Sequence, residues 1–548
     1  MAKLCKMMVF PILIFAASGA VSIKQMAHVP FFEGLGSFSR KVTTDSPEAQ
    51  RYFDQGLAFM YAFNHDEAIR SFRRAGEIDT KCAMAFWGVA IANGPHINNP
   101  VLPEERAKAA WTALNRAKEV ASKASPVERA LIEALGSRYA DPPPADRKSL
   151  DLAYADAMRR VWAAFPEDAD VGALFAESLA DLRPWDLWTA SGEPQPGTEE
   201  LIRTLECVLN VDPKHPLANH LFIHAVEASP RPEMADRAAD ALRDLQPGLG
   251  HLVHMPSHID VRRGRWQQSI AANLKAIEAD RRYTEQTGRQ GFYRLYMAHN
   301  HHMLAYGAMM TGQNALALKI IRKMVADIPT EFLRANPFMD GFVAMPLEVM
   351  MRFGRWDDIL AEPQFPDFVP ISRALQHYAR AVAYAAKEDV SSAMMEQAAF
   401  VEARSRVPED AYFGNNSAAD ILNIAETFMR GEILYRAGKI DEGLSYLRTA
   451  VALEDKLRYD EPPDWIIPTR HAFGAALLKA GKFAEAEKIF REDLKRLPEN
   501  GWGLYGFMRS LQAQNKSVEA GKLEKQFDAV WKNADIRIKS PCLCLPGI

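Results

Sequence analysis

The sequence predicts an all-α protein, a tetratricopeptide-like α-solenoid in which antiparallel helix pairs stack into a right-handed superhelix. Three observations carry that prediction. The spacing in which a glycine late in helix A is followed by alanine, a large apolar residue, a small residue and a turn proline occurs three times. It is written as Gly474, Gly481, Ala486, Phe490 and Pro498, as Gly56, Ala68, Phe72 and Ala75, and as Gly312, Ala317, Ile321 and Pro329. No segment shows the period-two alternation of a strand. The chain of 548 residues, 48% apolar and 25% charged, has ample material for a core, and about ten stacked helix pairs can run to this length as one body.

The first element, residues 1–20, reads as an export signal. Lys3 and Lys6 precede an apolar run at 7–17, and Ser18-Gly19-Ala20 offers small residues for cleavage. The run is too short to span a bilayer, so the mature chain is expected to be soluble and secreted or periplasmic, with no membrane span. An N-terminal extension follows at 21–45, then repeats at 46–313 that carry a histidine cluster, middle helical repeats at 314–416, C-terminal repeats at 417–536 and a disordered tail at 537–548. Cys82 and Cys207 read best as buried apolar residues, and the Cys542-Leu543-Cys544 sequence falls in the tail. Four connections exceed the usual repeat turn, at 94–103, 141–147, 184–197 and 406–416. Long ordered loops in a solenoid tend to fold into the concave groove and carry function. The net charge of −4 gives no basic footprint, and nucleic acid is not an expected partner.

Histidine placement is the chemical signal. Eight of the 14 histidines fall between His220 and His302, in NHLFIHAVE (219–227), HLVHMPSHI (251–259) and HNHHM (299–303). Residues three or four apart share a helix face, so His220 with His224, His254 with His258 and His299 with His302 each project as a pair. The three segments are read as A helices of consecutive repeats, whose inward faces lie on one concave wall. Neutral imidazoles without a carboxylate cage suit transition ions and argue against calcium or magnesium. The expected cofactor is copper, with zinc as the alternative, in a mononuclear or dinuclear site on His220, His224, His254, His258, His299 and His302. His251 is a further or outer ligand, His301 falls on another face, and Glu227 is a ligand or a base on the His220/His224 face. Pro256 is expected to kink its helix and re-aim His254 and His258, and Met255 is read as core. His28, His65, His215, His377 and His471 stand alone and are read as surface or packing histidines.

A second candidate region is the loop holding Arg183, Trp185, Asp186 and Trp188. Two indoles bracketing a carboxylate would make a substrate platform or lid. Tyr459, Asp460, Glu461, Trp465 and Arg470 form a similar set. The sequence contains no G-x-S-x-G elbow, H-E-x-x-H motif, P-loop or glycine-rich dinucleotide fingerprint, so an enzyme built on it would be metal-based.

At YFDQGLAFMYAFNHDEAIRSF (52–72), DLRPWDLW (181–188), the three histidine segments and DEPPDWIIPTR (460–470), the chain resembles a family of exported bacterial tetratricopeptide-repeat proteins. The resemblance implies the solenoid fold and intact motifs, and it implies no reaction. His96 in GPHINNP departs from it, where asparagine is expected. The reading is an exported metalloprotein, an oxidoreductase acting on a small-molecule or peptide ligand in the groove. The alternatives are a peptide-binding scaffold without catalysis and a metal carrier or storage protein.

Overall fold

The computed structural model describes residues 29–288 and 290–545. The export signal and His28 lie outside the described residues.

The fold is all-α and tetratricopeptide-like: helices pack chiefly on those next to them in the chain, as Pro47–Tyr61 does on His65–Ile78 and Ala418–Arg436 on Ile440–Glu454. The glycine and phenylalanine spacing explains why. A Cβ placed on Gly56 would lie 2.5 Å from the Phe72 ring, and one on Gly88 would lie equally close to it. Phe72 therefore fills the space that two side-chain-free helix faces leave, one before it and one after. Phe490 repeats the arrangement between Gly474 and Gly506, where a Cβ would meet the ring at 2.3 Å in both cases. Close packing of this kind leaves no room for even a methyl group.

The chain divides into two compact units. Met1–Ile259 with Ala271–Asn300 forms the first, and Asp260–Ile270 with His301–Ile548 forms the second. Within the first, Ser46 accepts from the Ala49 amide ahead of Pro47, and Ser125 and Glu128 form a reciprocal capping box. These caps fix where the helices begin.

Some local expectations need correction. Residues 537–545, expected to be disordered, are placed, with Cys542, Cys544 and Leu545 buried, a disulfide between the two cysteines, and Arg436 donating to the Cys544 carbonyl. Leu545 and the cysteines supply apolar surface that a polar tail would lack, which is why the segment docks. Cys82 is buried as read, but Cys207 is exposed. The loop at 406–416 leads into a two-residue hairpin that pairs Tyr412 with Ser417 and Phe413 with Asn416. Among the described residues no helix is long and apolar enough to cross a membrane.

Candidate metal centre

The ligand helices are set locally. The helix Pro216–Val226 opens with proline at its first position, where no amide hydrogen is needed, and the His215 ring accepts from the Ala218 amide at 3.2 Å. That bond gives His215 the Nε2–H tautomer, and Nε2 faces Asp170 at 3.2 Å. Asp170 also accepts from Arg40 and from the Tyr61 hydroxyl. Burial alone would raise the Asp170 pKa, but His215, Arg40 and Tyr61 hold it below the usual carboxylate range. A buried polar chain thus runs from the N-terminal extension to the helix bearing His220 and His224.

The HLVHMPSHI segment forms two helices, Gly250–His254 and Pro256–Arg262, separated at Met255. Pro256 lacks the amide hydrogen that would continue the ladder. Met255 is fully buried, as read. The three histidines of this segment divide between two groups, and the division falls within Gly250–His254, ahead of the break. His251 joins His220 and His224, while His254 and His258 join His299 from the helix Arg294–Met310; within each group the ligand atoms lie within 4.8 Å of one another. The groups adjoin, with ring centroids 5.4 Å apart for His224 and His258 and 5.7 Å for His251 and His254. All six residues belong to the first unit.

Outer hydrogen bonds fix four of the rings. His220 Nδ1 donates to the Tyr61 carbonyl at 2.8 Å, His224 Nδ1 to Glu227 Oε1 at 2.7 Å, His258 Nδ1 to Glu227 Oε2 at 2.6 Å, and His254 Nδ1 to Asn273 Oδ1 at 2.6 Å. A neutral imidazole that spends its proton on Nδ1 keeps a bare lone pair on Nε2. Nε2 of His220 and of His224 is thereby left as an acceptor, and metal-binding histidines are commonly oriented by such outer partners. Burial, followed by neighbouring imidazoles, pushes the pKa of His220, His251 and His254 well below the ordinary histidine value, and burial lowers that of His224. All four stay neutral and able to ligate.

These donors fit a cation. Nε2 of His220, Nε2 of His224 and both ring nitrogens of His251 are buried without a hydrogen-bond partner. Native proteins rarely leave buried polar atoms in that condition, and three such rings in one place are rarer still. In the second group Nε2 of His254 faces Nε2 of His258 at 2.6 Å. Two lone pairs repel at that distance unless a proton or cation lies between them, and two nitrogens each about 2.0 Å from one ion would stand roughly 3 Å apart.

Aromatic residues cover the first group. The Phe63 ring lies tilted against that of His220 with centroids 4.3 Å apart, and the Trp185 ring meets that of His224 edge-on at 5.5 Å. Both residues hold positive φ, +58° for Phe63 and +57° for Trp185. Bulky side chains rarely adopt this region, and such strain gathers at sites where neighbours over-determine the backbone. Phe63 is also one wall of a cleft lined by His65, Asp66, His96 and Arg106. His96 is buried and His65 partly buried, and their rings stack with centroids 4.1 Å apart.

The other expected residues are placed as follows. His302 lies outside the two histidine groups, in the second unit, with its ring 6.2 Å from Phe342. His251 is instead the third member of the group with His220 and His224. Trp188 donates to the Ala225 carbonyl at 2.8 Å and ties the loop to the ligand helix, while Trp185 donates to Asn98. Asp186 is partly exposed and spends its carboxylate on Arg183 at 3.1 Å and Gln195 at 3.4 Å. His377 pairs with Glu396, and His471 with Asp493 and Arg352. Sequence reasoning did not single out Tyr61, Phe63, Asn273 or the capping His215. Tyr61 and Asn273 lie on other helices and Phe63 in the turn after Pro47–Tyr61, while His215 precedes a proline-started helix whose cap preference was the available signal.

No family model matches the chain, and no curated protein matches it. Among solved structures it is similar to a human IFIT1 dimer with m7Gppp-AAAA, at 11% identity over 90% of this chain and 92% of that one with a TM-score of 0.33. It is also similar to the APC/C hetero-tetramer Cut9–Hcn1, at 11% identity over 89% and 76% with a TM-score of 0.30. The yeast Tom70 is a third, at 11% identity over 88% and 90% with a TM-score of 0.29.

Proposed function

We propose that this chain is an exported tetratricopeptide-like metalloprotein whose six histidines, His220, His224, His251, His254, His258 and His299, hold two neighbouring transition ions. Copper is the first choice and zinc the second. The observation that carries the reading is the convergence of buried imidazole nitrogens without hydrogen-bond partners on His220, His224 and His251, the first two of which have their outer nitrogens committed to oxygen acceptors. An all-imidazole donor set suits copper or zinc and not calcium or magnesium. Relative to the sequence reading, His251 takes the place of His302.

The proposed activity is redox chemistry on a small-molecule or peptide substrate. Bound copper would supply one-electron steps, whereas bound zinc would supply a Lewis acid. The residues of the chain do the rest. Tyr61, Glu227 and Asn273 aim the ligand nitrogens, and Phe63 and Trp185 cover the first group and keep water from it. Trp185 is the substrate-facing residue of its loop in this reading, and Arg183, Asp186 and Trp188 shape that loop. Export follows from the composition of residues 1–20, and a mature N-terminus near Val21 by mass spectrometry would support it.

The test is elemental analysis of the full chain, purified without chelators or a histidine tag and supplied with copper or zinc. Two ions per chain are expected. A protein that holds no stoichiometric metal overturns the reading and leaves the peptide-binding scaffold in its place.

A further inference from the structure

Glu227 lies just past the last residue of the helix Pro216–Val226, three positions after His224, and is 1% exposed. Its two oxygens reach different histidine groups: Oε1 receives His224 Nδ1–H at 2.7 Å, and Oε2 receives His258 Nδ1–H at 2.6 Å. The other oriented ligands have separate partners, Tyr61 for His220 and Asn273 for His254. Glu227 alone, among these outer partners, serves one ligand in each group.

An ionised carboxylate offers only lone pairs, so a ring nitrogen facing it must carry the proton. Each neutral imidazole has one proton, and placing it on Nδ1 bares Nε2. We propose that Glu227 is a positioning residue shared by the two groups, fixing His224 and His258 together as Nδ1–H tautomers and so turning one bare nitrogen of each group toward its ion. Its metal consequence rests on the two-ion reading above; its tautomer consequence does not.

The proposal makes the substitution Glu227→Gln informative, because a glutamine of the same shape cannot serve both rings alike. Its oxygen accepts from one Nδ1–H. Its amide group donates, so the ring that faces it must present a bare Nδ1 and carry its proton on Nε2. That ring can no longer ligate through Nε2 without first exchanging its tautomer. The substitution therefore separates two groups that the carboxylate treats identically, and one ion should suffer while the other does not. Loss of an outer partner typically weakens metal binding by about 10–100-fold.

The experiment has two readouts on the full chain. In metal-free wild type labelled with 15N in its histidine rings, the ring nitrogen shifts should show both His224 and His258 as Nδ1–H, and in Glu227→Gln one of the two should switch. Titration with copper should then show one ion bound about 10–100-fold more weakly than in wild type and the other unchanged. The wild-type spectrum needs no variant to fold: a proton on Nε2 of either ring overturns the proposal, as does a variant in which neither ring switches or both ions bind with unchanged affinity. Should wild type show the expected tautomers yet bind no copper, the two-ion reading falls and the tautomer role of Glu227 stands.

Discussion

His258 in the first unit and His471 in the second are both fully buried histidines, and they show how burial alone misleads. His471 has both ring nitrogens committed, Nε2 donating to Asp493 at 3.0 Å and Nδ1 accepting from Arg352 at 3.0 Å. Its network is closed. His258 gives its outer nitrogen to Glu227 and turns its inner nitrogen to that of His254 at 2.6 Å, beside His220, His224 and His251, each of which has a buried ring nitrogen without a hydrogen-bond partner. A structural histidine satisfies itself within the protein, whereas a site histidine keeps a lone pair for something else. Several open nitrogens converging on one place, and neither depth nor a single open nitrogen such as His302 Nε2, distinguish the candidate site from the network at His471.

The largest test of that distinction is metal content. Alanine at His254 or His258 should remove the ion of the second group, and alanine at His220, His224 or His251 that of the first, because losing a direct ligand abolishes or greatly weakens binding. Alanine at His302, His377 or His471 should leave both ions in place. Elemental analysis of the purified variants reads this directly, and a metal loss in His302→Ala equal to that in His254→Ala would erase the contrast.

The fold and the presence of a site were legible in the sequence for a shared reason: both are written in spacing along one helix. Gly56 with Phe72 and Gly474 with Phe490 keep the repeat register, and the His-x₃-His pairs keep the helical one. What crosses between helices was not legible. Tyr61 reaches His220 from 159 residues away, and nothing at Tyr61 or Asn273 marks them as partners. The grouping of His251 with His220 and His224, and the absence of His302 from both groups, depend on how separate helices approach, which spacing along one helix does not give. The tail at 537–545 was misjudged because its polar length outweighed three apolar residues that find a place to dock.

Carboxylates of the first unit extend the comparison to pH. Burial raises both Glu227 and Asp280, but His258 and His224 bring Glu227 well below the ordinary range. Asp280 has only hydrogen bonds from Asn300 and Tyr293 to offset burial, and its pKa is pushed up to about 7 from 3.8. A folded-state value above the unfolded one means that the folded chain binds the extra proton between pH 4 and pH 7. Stability from this group is therefore complete below about pH 4 and is lost as pH rises through 7, by at most about 4 kcal/mol. Asp280→Asn mimics the neutral form and should raise the melting temperature most at pH 8, by less than half as much at pH 5, and hardly at all below pH 4. An equal shift at pH 8 and below pH 4 would mean that Asp280 does not titrate with folding.

For His471 the expected losses run opposite to those of the metal variants. His471→Ala leaves Asp493 and Arg352 each short of a hydrogen-bond partner and opens a cavity, at a cost of about 3 kcal/mol. Denaturant unfolding should register that loss with metal stoichiometry intact. A His471→Ala protein as stable as wild type would show that its closed network contributes nothing net.

The smallest effects belong to the loop beside the first group, where two adjacent residues should part company. Asp186 is partly exposed and paired with Arg183 on its own loop, and exposed pairs of this kind contribute at most about 1 kcal/mol. Asp186→Ala should leave melting temperature and metal content nearly unchanged, although it was singled out by sequence alongside its neighbour. Trp185 differs, because its strained backbone presents an indole edge to His224 and its N–H to Asn98. Relaxing the strain offsets part of the lost packing, so Trp185→Ala should change stability by only about 1 kcal/mol. What it should change is access: the first ion should exchange with a chelator faster than in wild type, and the second ion at the wild-type rate. Timed chelation followed by elemental analysis resolves the two ions, and equal acceleration of both would assign Trp185 to the stability of the unit instead of to the cover of one site.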